Sequence, residues 1–182
     1  TVNLSLVYQS KMSGNPYSIA PGFGLNLQKR LVSYDNVAYG YECGNGEGVK
    51  LNNCNGKFVF DDGSQRIIRS VNGNFVLENP DYSTEVYSES AVNSHNIISA
   101  NDKYGNKIFS YTYIGNEKLS SISYRPDVTN KKISFAYNDS GKLESISYLL
   151  GTQVICTTNL VYLENGGIKL QHYSGVDYYI IP

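Results

Sequence analysis

The residues best equipped for chemistry are few: Cys43, Cys54 and Cys156, His95 and His172, and the adjacent carboxylates Asp61 and Asp62. A nucleophile needs a base within hydrogen-bond reach, and two histidines in hydroxyl-rich, turn-like sequence offer no hydrolase constellation. Asp61 and Asp62 could suggest the carboxylate pair of a glycoside hydrolase. Neighbouring strand residues face opposite ways, however, and Asp61-Asp62-Gly63-Ser64 reads as a turn. The segment Gly44-Asn45-Gly46-Glu47-Gly48-Val49-Lys50 has the glycines of a phosphate-cradling loop. It lacks the Gly-Lys-Ser/Thr order and a following helix, so a hairpin or bulge accounts for it better. Asn101-Asp102 and Asn138-Asp139 offer turn oxygens without the alternating acidic spacing of a calcium loop. Two cysteines and two distant histidines do not make a zinc set. No catalytic residue, metal or cofactor is therefore expected, and the chain is not expected to be an enzyme. Cys43 and Cys54 flank the glycine segment, so a local disulfide closing a hairpin is a candidate, worth about 3 kcal/mol if formed. Cys156, in Val154-Ile155-Cys156, reads as a small strand residue.

The elements that would position such residues are short strands. In Phe109-Ser110-Tyr111-Thr112-Tyr113 an aromatic ring falls at every second position, which puts three rings on one face of a strand and small hydroxyl residues on the other. Ile133-Ser134-Phe135-Ala136-Tyr137 alternates in the same way, and Lys57-Phe58-Val59-Phe60 does so more weakly. Asn-Gly pairs at 45–46, 55–56, 72–73 and 165–166 supply the positive φ that tight hairpins demand. The best helical stretch is Ser88 to Ile98, and its serines and asparagines argue against anything long. Composition agrees: 17 Tyr, 17 Gly and 20 Asn among 182 residues, with 17% charged, exclude a helical bundle, a coiled coil or a disordered charged tail. With 15 basic against 16 acidic residues there is no general attraction to phosphate, so nucleic acid is not an expected partner. No apolar run is long enough to span a bilayer, and the opening Thr1-Val2-Asn3-Leu4 has no basic segment followed by an apolar one, so an export signal is expected either to have been removed or never to have been present.

The sequence repeats. Tyr111, Tyr113, Lys118, Leu119, Ser121, Ile122, Ser123 and Tyr124 recur 24 residues later as Phe135, Tyr137, Lys142, Leu143, Ser145, Ile146, Ser147 and Tyr148. A third copy slips to an offset of 25, with Leu160, Tyr162, Gly166-Gly167, Ile168 and Tyr173. Each unit reads strand, turn, strand, connection, and one hairpin cannot bury its own aromatic face, so neighbouring units must share it. Tyrosine suits such a seam because its ring fills apolar space while its hydroxyl finds a partner or water.

Phe135-Ala136-Tyr137-Asn138-Asp139-Ser140-Gly141-Lys142-Leu143-Glu144-Ser145-Ile146 resembles the unit of the RHS or YD-repeat family, with Asn138 shifting the acidic residue by one place. Tyr111 to Leu119 is a similar unit without the Asp, Leu160 to Ile168 is a weaker one, and Asn101 to Lys107 resembles the segment that introduces such repeats. Asn3 to Ser10 and Pro21 to Leu27 are similar to the opening of RHS proteins, with Ala20 and Phe23 where Gly and Trp are common.

The resemblance implies an antiparallel strip of β-hairpins, curved or solenoid-like and open. Its expected organisation is a single all-β domain over 1–182, with RHS-like opening strands at 1–60, loosely matched strands at 61–106 and YD-like repeats at 107–182. It also implies a non-catalytic role in a secreted or cell-surface bacterial shell that encloses or presents a toxin, with other segments of a larger RHS-type chain or a protein partner as neighbours. The alternative is a carbohydrate-binding or adhesin module, with a glycan as partner. The candidate binding residues are the aromatic seam of Tyr111, Tyr113, Tyr124, Phe135, Tyr137, Tyr148, Tyr162 and Tyr173.

Overall fold

The computed structural model describes residues 4, 6–8, 23–34, 37–44, 48–88, 94–115 and 118–180, and every regular element among them is a β-strand. In chain order these are β1 (Leu6–Tyr8), β2 (Phe23–Leu25), β3 (Lys29–Tyr34), β4 (Val37–Cys43), β5 (Gly48–Cys54), β6 (Lys57–Phe60), β7 (Ile67–Val71), β8 (Asn74–Glu78) and β9 (Thr84–Tyr87). They continue as β10 (Ser94–Asn101), β11 (Lys107–Ile114), β12 (Lys118–Tyr124), β13 (Lys131–Tyr137), β14 (Leu143–Leu150), β15 (Gln153–Tyr162), β16 (Ile168–Gln171) and β17 (Asp177–Ile180). Every pairing is antiparallel. Among the described residues no helix is long and apolar enough to cross a membrane. The stretch from Ser88 to Ile98, the best helical candidate, instead enters β10; residues 89–93 lie outside the described part. Of the N-terminal match, β1 and β2 pair with Leu6 opposite Leu25, and residues 1–3, 5 and 9–22 lie outside the described part.

The expectation of an open strip is corrected. Strands β3 to β10 follow one another in the sheet, and β10 pairs both with β9 and with β3, so eight strands close into a barrel. The physical reason is the length of β10 and the way its edge is shared. Ser94–Asn96 bond to β3 while Ser99–Asn101 bond to β11, with β9 along the opposite edge. A twisted sheet that meets its own first strand removes two exposed edges at once. Eight strands enclose a bore that side chains can fill. Leu31, Leu51, Phe58, Ile68, Leu77, Tyr87 and Ile97 fill it, all buried. Strands β11 to β17 continue from β10 outside the ring, each hydrogen-bonded to the next.

Local turn chemistry sets the hairpins. Asn55-Gly56 and Asn72-Gly73 both take positive φ and join Cys54 to Lys57 and Val71 to Asn74 as two-residue turns. A second turn recurs along the chain. The amides of Gly105, Gly141, Gly166 and Gly175 donate to the carbonyls of Asp102, Asn138, Leu163 and His172, three residues back. All four glycines have φ near +80°. Tyr82 fills the same slot in the β8–β9 turn, where its amide donates to Asn79, and it too is left-handed at φ +66°.

The slip from 24 to 25 residues also has a structural cause. Tyr124 pairs with Lys131, seven residues on, whereas Tyr148 pairs with Cys156, eight residues on. The extra residue is absorbed in β15 at the irregularity beside Leu149.

Candidate functional site

The aromatic seam is built by a contact that repeats with the sequence. Tyr113, Tyr137 and Tyr162 each direct the hydroxyl to the backbone carbonyl of a buried aliphatic residue in an earlier strand: Ile97 at 2.8 Å, Leu119 at 2.9 Å and Leu143 at 2.7 Å. Leu119, Leu143 and the equivalent Ile168 are all fully buried. Lysine reinforces two of these joints, with Lys118 over the Tyr137 ring at 5.5 Å and Lys142 over the Tyr162 ring at 5.0 Å. Burial holds the Tyr137 phenol well above its ordinary value and pushes Tyr162 up to about 12, so both hydroxyls remain donors at neutral pH.

The eight candidate seam residues do not form one surface. Tyr111 and Phe135 are buried in the core, Tyr113, Tyr137 and Tyr162 are engaged at the joints, and Tyr173 is exposed in the β16–β17 turn with its ring 4.2 Å from that of His172. Tyr124 and Tyr148 are half-buried and line a groove of about 400 Å3. Register explains how: Tyr124 lies opposite Phe109 and Lys131, and Ile133 lies opposite Ile122 and Tyr148, so all six share one sheet face. Leu27, from the turn between β2 and β3, and Lys132 complete the lining.

Cys43 and Cys54 are not bonded, which corrects the disulfide candidate. Cys43 ends β4, whereas Cys54 stands at the far end of β5, about 20 Å along the strand from Gly48 and its β4 partner Glu42. That is beyond the reach of a disulfide. The Cys43 thiol donates instead to the Asn26 carbonyl at 3.3 Å. Gly44, beside it, packs so closely that an added β-carbon would stand 1.8 Å from the Leu25 carbonyl oxygen, and its amide donates to Gln28 at 2.6 Å. Cys156 is a half-buried strand residue opposite Tyr148.

Asp62 accepts the Ser64 amide at 2.9 Å and Arg66 at 2.5 Å, closing the β6–β7 turn. Hydrogen bonds from Ser64, side chain first and then amide, bring its carboxyl down to about 2. Two of the turn residues considered for calcium, Asp102 and Asn138, use their side-chain oxygens locally. Asp102 accepts from Tyr104, Asn106 and the Asn106 side chain, and Asn138 accepts from Ser140 and Lys142. The two histidines lie in different parts of the fold: His95 is buried in the barrel with its ring 4.7 Å from Phe75, and His172 is in the last turn.

Sequence reasoning passed over one half-buried ion pair. Lys29 forms an ion pair with Glu85, 56 residues away, and Tyr87 donates to the other Glu85 oxygen at 2.5 Å. Burial disfavours the Lys29 ammonium, but the adjacent Glu85 carboxylate outweighs it and raises the pKa. Burial first and the Glu85 charge second raise Tyr87 and push Tyr41 up to about 12. Lys29 therefore stays charged and the phenols stay neutral, a state suited to holding β3 and β9 together over the inner face of β10. The available signal was the alternation Lys29-Arg30-Leu31, which assigns Lys29 to the same face as a core leucine.

Searches for known relatives found neither a matching family model nor a matching curated protein.

Proposed function

We propose that the chain is a non-catalytic scaffold module of RHS or YD-repeat type, contributing to a shell or surface that encloses or presents a toxin or protein partner. The observation that carries this reading is the repeated joint. One tyrosine in each repeat, Tyr113, Tyr137 or Tyr162, is spent on a carbonyl of the preceding hairpin, so these repeat residues serve the addition of strand to strand. The barrel supplies a closed anchor, and Ile168 occupies the position at which Leu119 and Leu143 accept their tyrosines. The test is electron microscopy and native mass spectrometry of the natural gene product. The expected result is a hollow β-shell with further strands stacked on β17 and a retained polypeptide. A product without further strands, or one that retains no polypeptide, overturns the proposal.

The second reading, a carbohydrate-binding module, is favoured by the groove between Tyr124 and Tyr148, whose rings are not used at the joints. A glycan array probed with the protein tests it: specific signal lost on substitution of these tyrosines supports the reading, and a blank array removes it.

A further inference from the structure

We propose that the groove between Tyr124 and Tyr148 binds an acidic saccharide, with one hexuronic acid ring seated over β13 and its carboxylate held by Lys131. The inference deepens the carbohydrate reading and is independent of whether the strip continues beyond β17.

Three features of the site argue for this ligand. The first is shape. Tyr124 and Tyr148 rise from strands on either side of β13, about 12 Å apart at two interstrand spacings and a two-residue stagger, with Lys131 and Ile133 between them. That span accepts one pyranose ring between two aromatic side chains, and a volume of about 400 Å3 lies in the range of small-ligand sites. The second is charge. Lys131 shares the face of Tyr124 and Tyr148, and among the described residues its ammonium has no carboxylate partner; the ion pairs there belong to Lys29, Arg30, Arg66, Arg69 and Lys169. A cation beside an apolar trough suits a ligand with an anionic edge and an apolar face. A uronic acid ring has both, since its C–H face stacks on tyrosine while its carboxylate meets ammonium.

The third feature separates a sugar from a peptide. The groove lies on a sheet face, where β12, β13 and β14 have already spent their backbone groups on each other. An extended peptide draws its affinity from main-chain hydrogen bonds at a sheet edge, which this face does not offer. A saccharide needs only side chains.

The experiment is titration calorimetry with a galacturonic acid trisaccharide, its fully methyl-esterified neutral form, an acidic peptide and a mononucleotide. The acid should bind, and the ester at least about tenfold more weakly. Lys131→Gln, an exposed position, should cost about threefold to tenfold. Tyr148→Ala should cost at least about fivefold, and Tyr148→Phe should retain affinity; circular dichroism of each variant checks that the fold is kept. Equal affinity for acid and ester overturns the charge argument while leaving a neutral-sugar module standing. Binding of the peptide or the nucleotide in place of the acid, or of no probe at all, overturns the proposal. So does acid binding that survives both Lys131→Gln and Tyr148→Ala.

Discussion

At Tyr82 a side chain occupies a backbone slot that glycine fills in four other turns of the molecule. A left-handed φ costs a non-glycine residue about 1–2 kcal/mol, and Tyr82 recovers little by burial because it is 72% exposed. Tyr82→Gly should therefore stabilise the protein, by about 0.5–1 kcal/mol after the greater freedom of glycine in the unfolded chain is subtracted. A higher urea midpoint at unchanged slope is the expected result. Asp62 gives a second residue-level expectation. Its folded pKa of about 2 lies below the ordinary carboxylate value, so its contribution is complete above about pH 4 and disappears as the pH falls through 2. Asp62→Asn should flatten the acid limb of the stability curve in that window and leave the alkaline limb unchanged, as measured by denaturant titration across pH.

Between elements, the seam depends on hydroxyls as much as on rings. Tyr137→Phe and Tyr162→Phe each preserve the ring while leaving the carbonyl of Leu119 or Leu143 without its donor, at a cost of about 1 kcal/mol. The same joints should loosen in alkali. A phenol whose pKa rises on folding contributes its stability below the unfolded value, near 10, and loses it as the pH climbs through the folded value, about 12 for Tyr162. Stability measured from pH 9 to 12 should fall less steeply in Tyr162→Phe than in the parent. The joints were partly legible in the sequence. Alternation at 109–113 and 133–137, the Asn-Gly turns and the 24-residue period are local patterns, and they predicted strands, hairpins and shared faces. The carbonyl acceptors were not legible, because a backbone oxygen has no residue type. Two of the seam residues also proved to be groove residues, a distinction that depends on which strand covers which ring.

Across the whole molecule, closure is the feature that local patterns could not announce. It pairs β3 with β10 and ties Lys29 to Glu85, groups far apart in sequence whose meeting is set by accumulated twist and not by any nearby residue. The resemblance to a repeat family, drawn mainly from the units after residue 107, led toward an open strip because those units do stack in sequence. Their origin at a ring strand produces a gradient of protection. β10 bonds to three other strands and should exchange its amides slowest, whereas β17 has one neighbour among the described strands and should exchange fastest. Hydrogen–deuterium exchange read by mass spectrometry checks this order, and comparable protection at both strands would contradict it.

The sharing of β10 between ring and strip also determines how the molecule carries load. Tension applied at the end of β17 meets hairpin ladders that open one bond pair after another, so β17 to β11 should peel in small steps at low force. At β10 the geometry changes, because further extension must break ladders along both of its edges while the Lys29–Glu85 clasp bridges over it from β3 to β9. A strand that joins a peeling strip to a closed ring acts as a mechanical stop, and force spectroscopy from the C-terminal side should record a staircase ending in a single larger rupture.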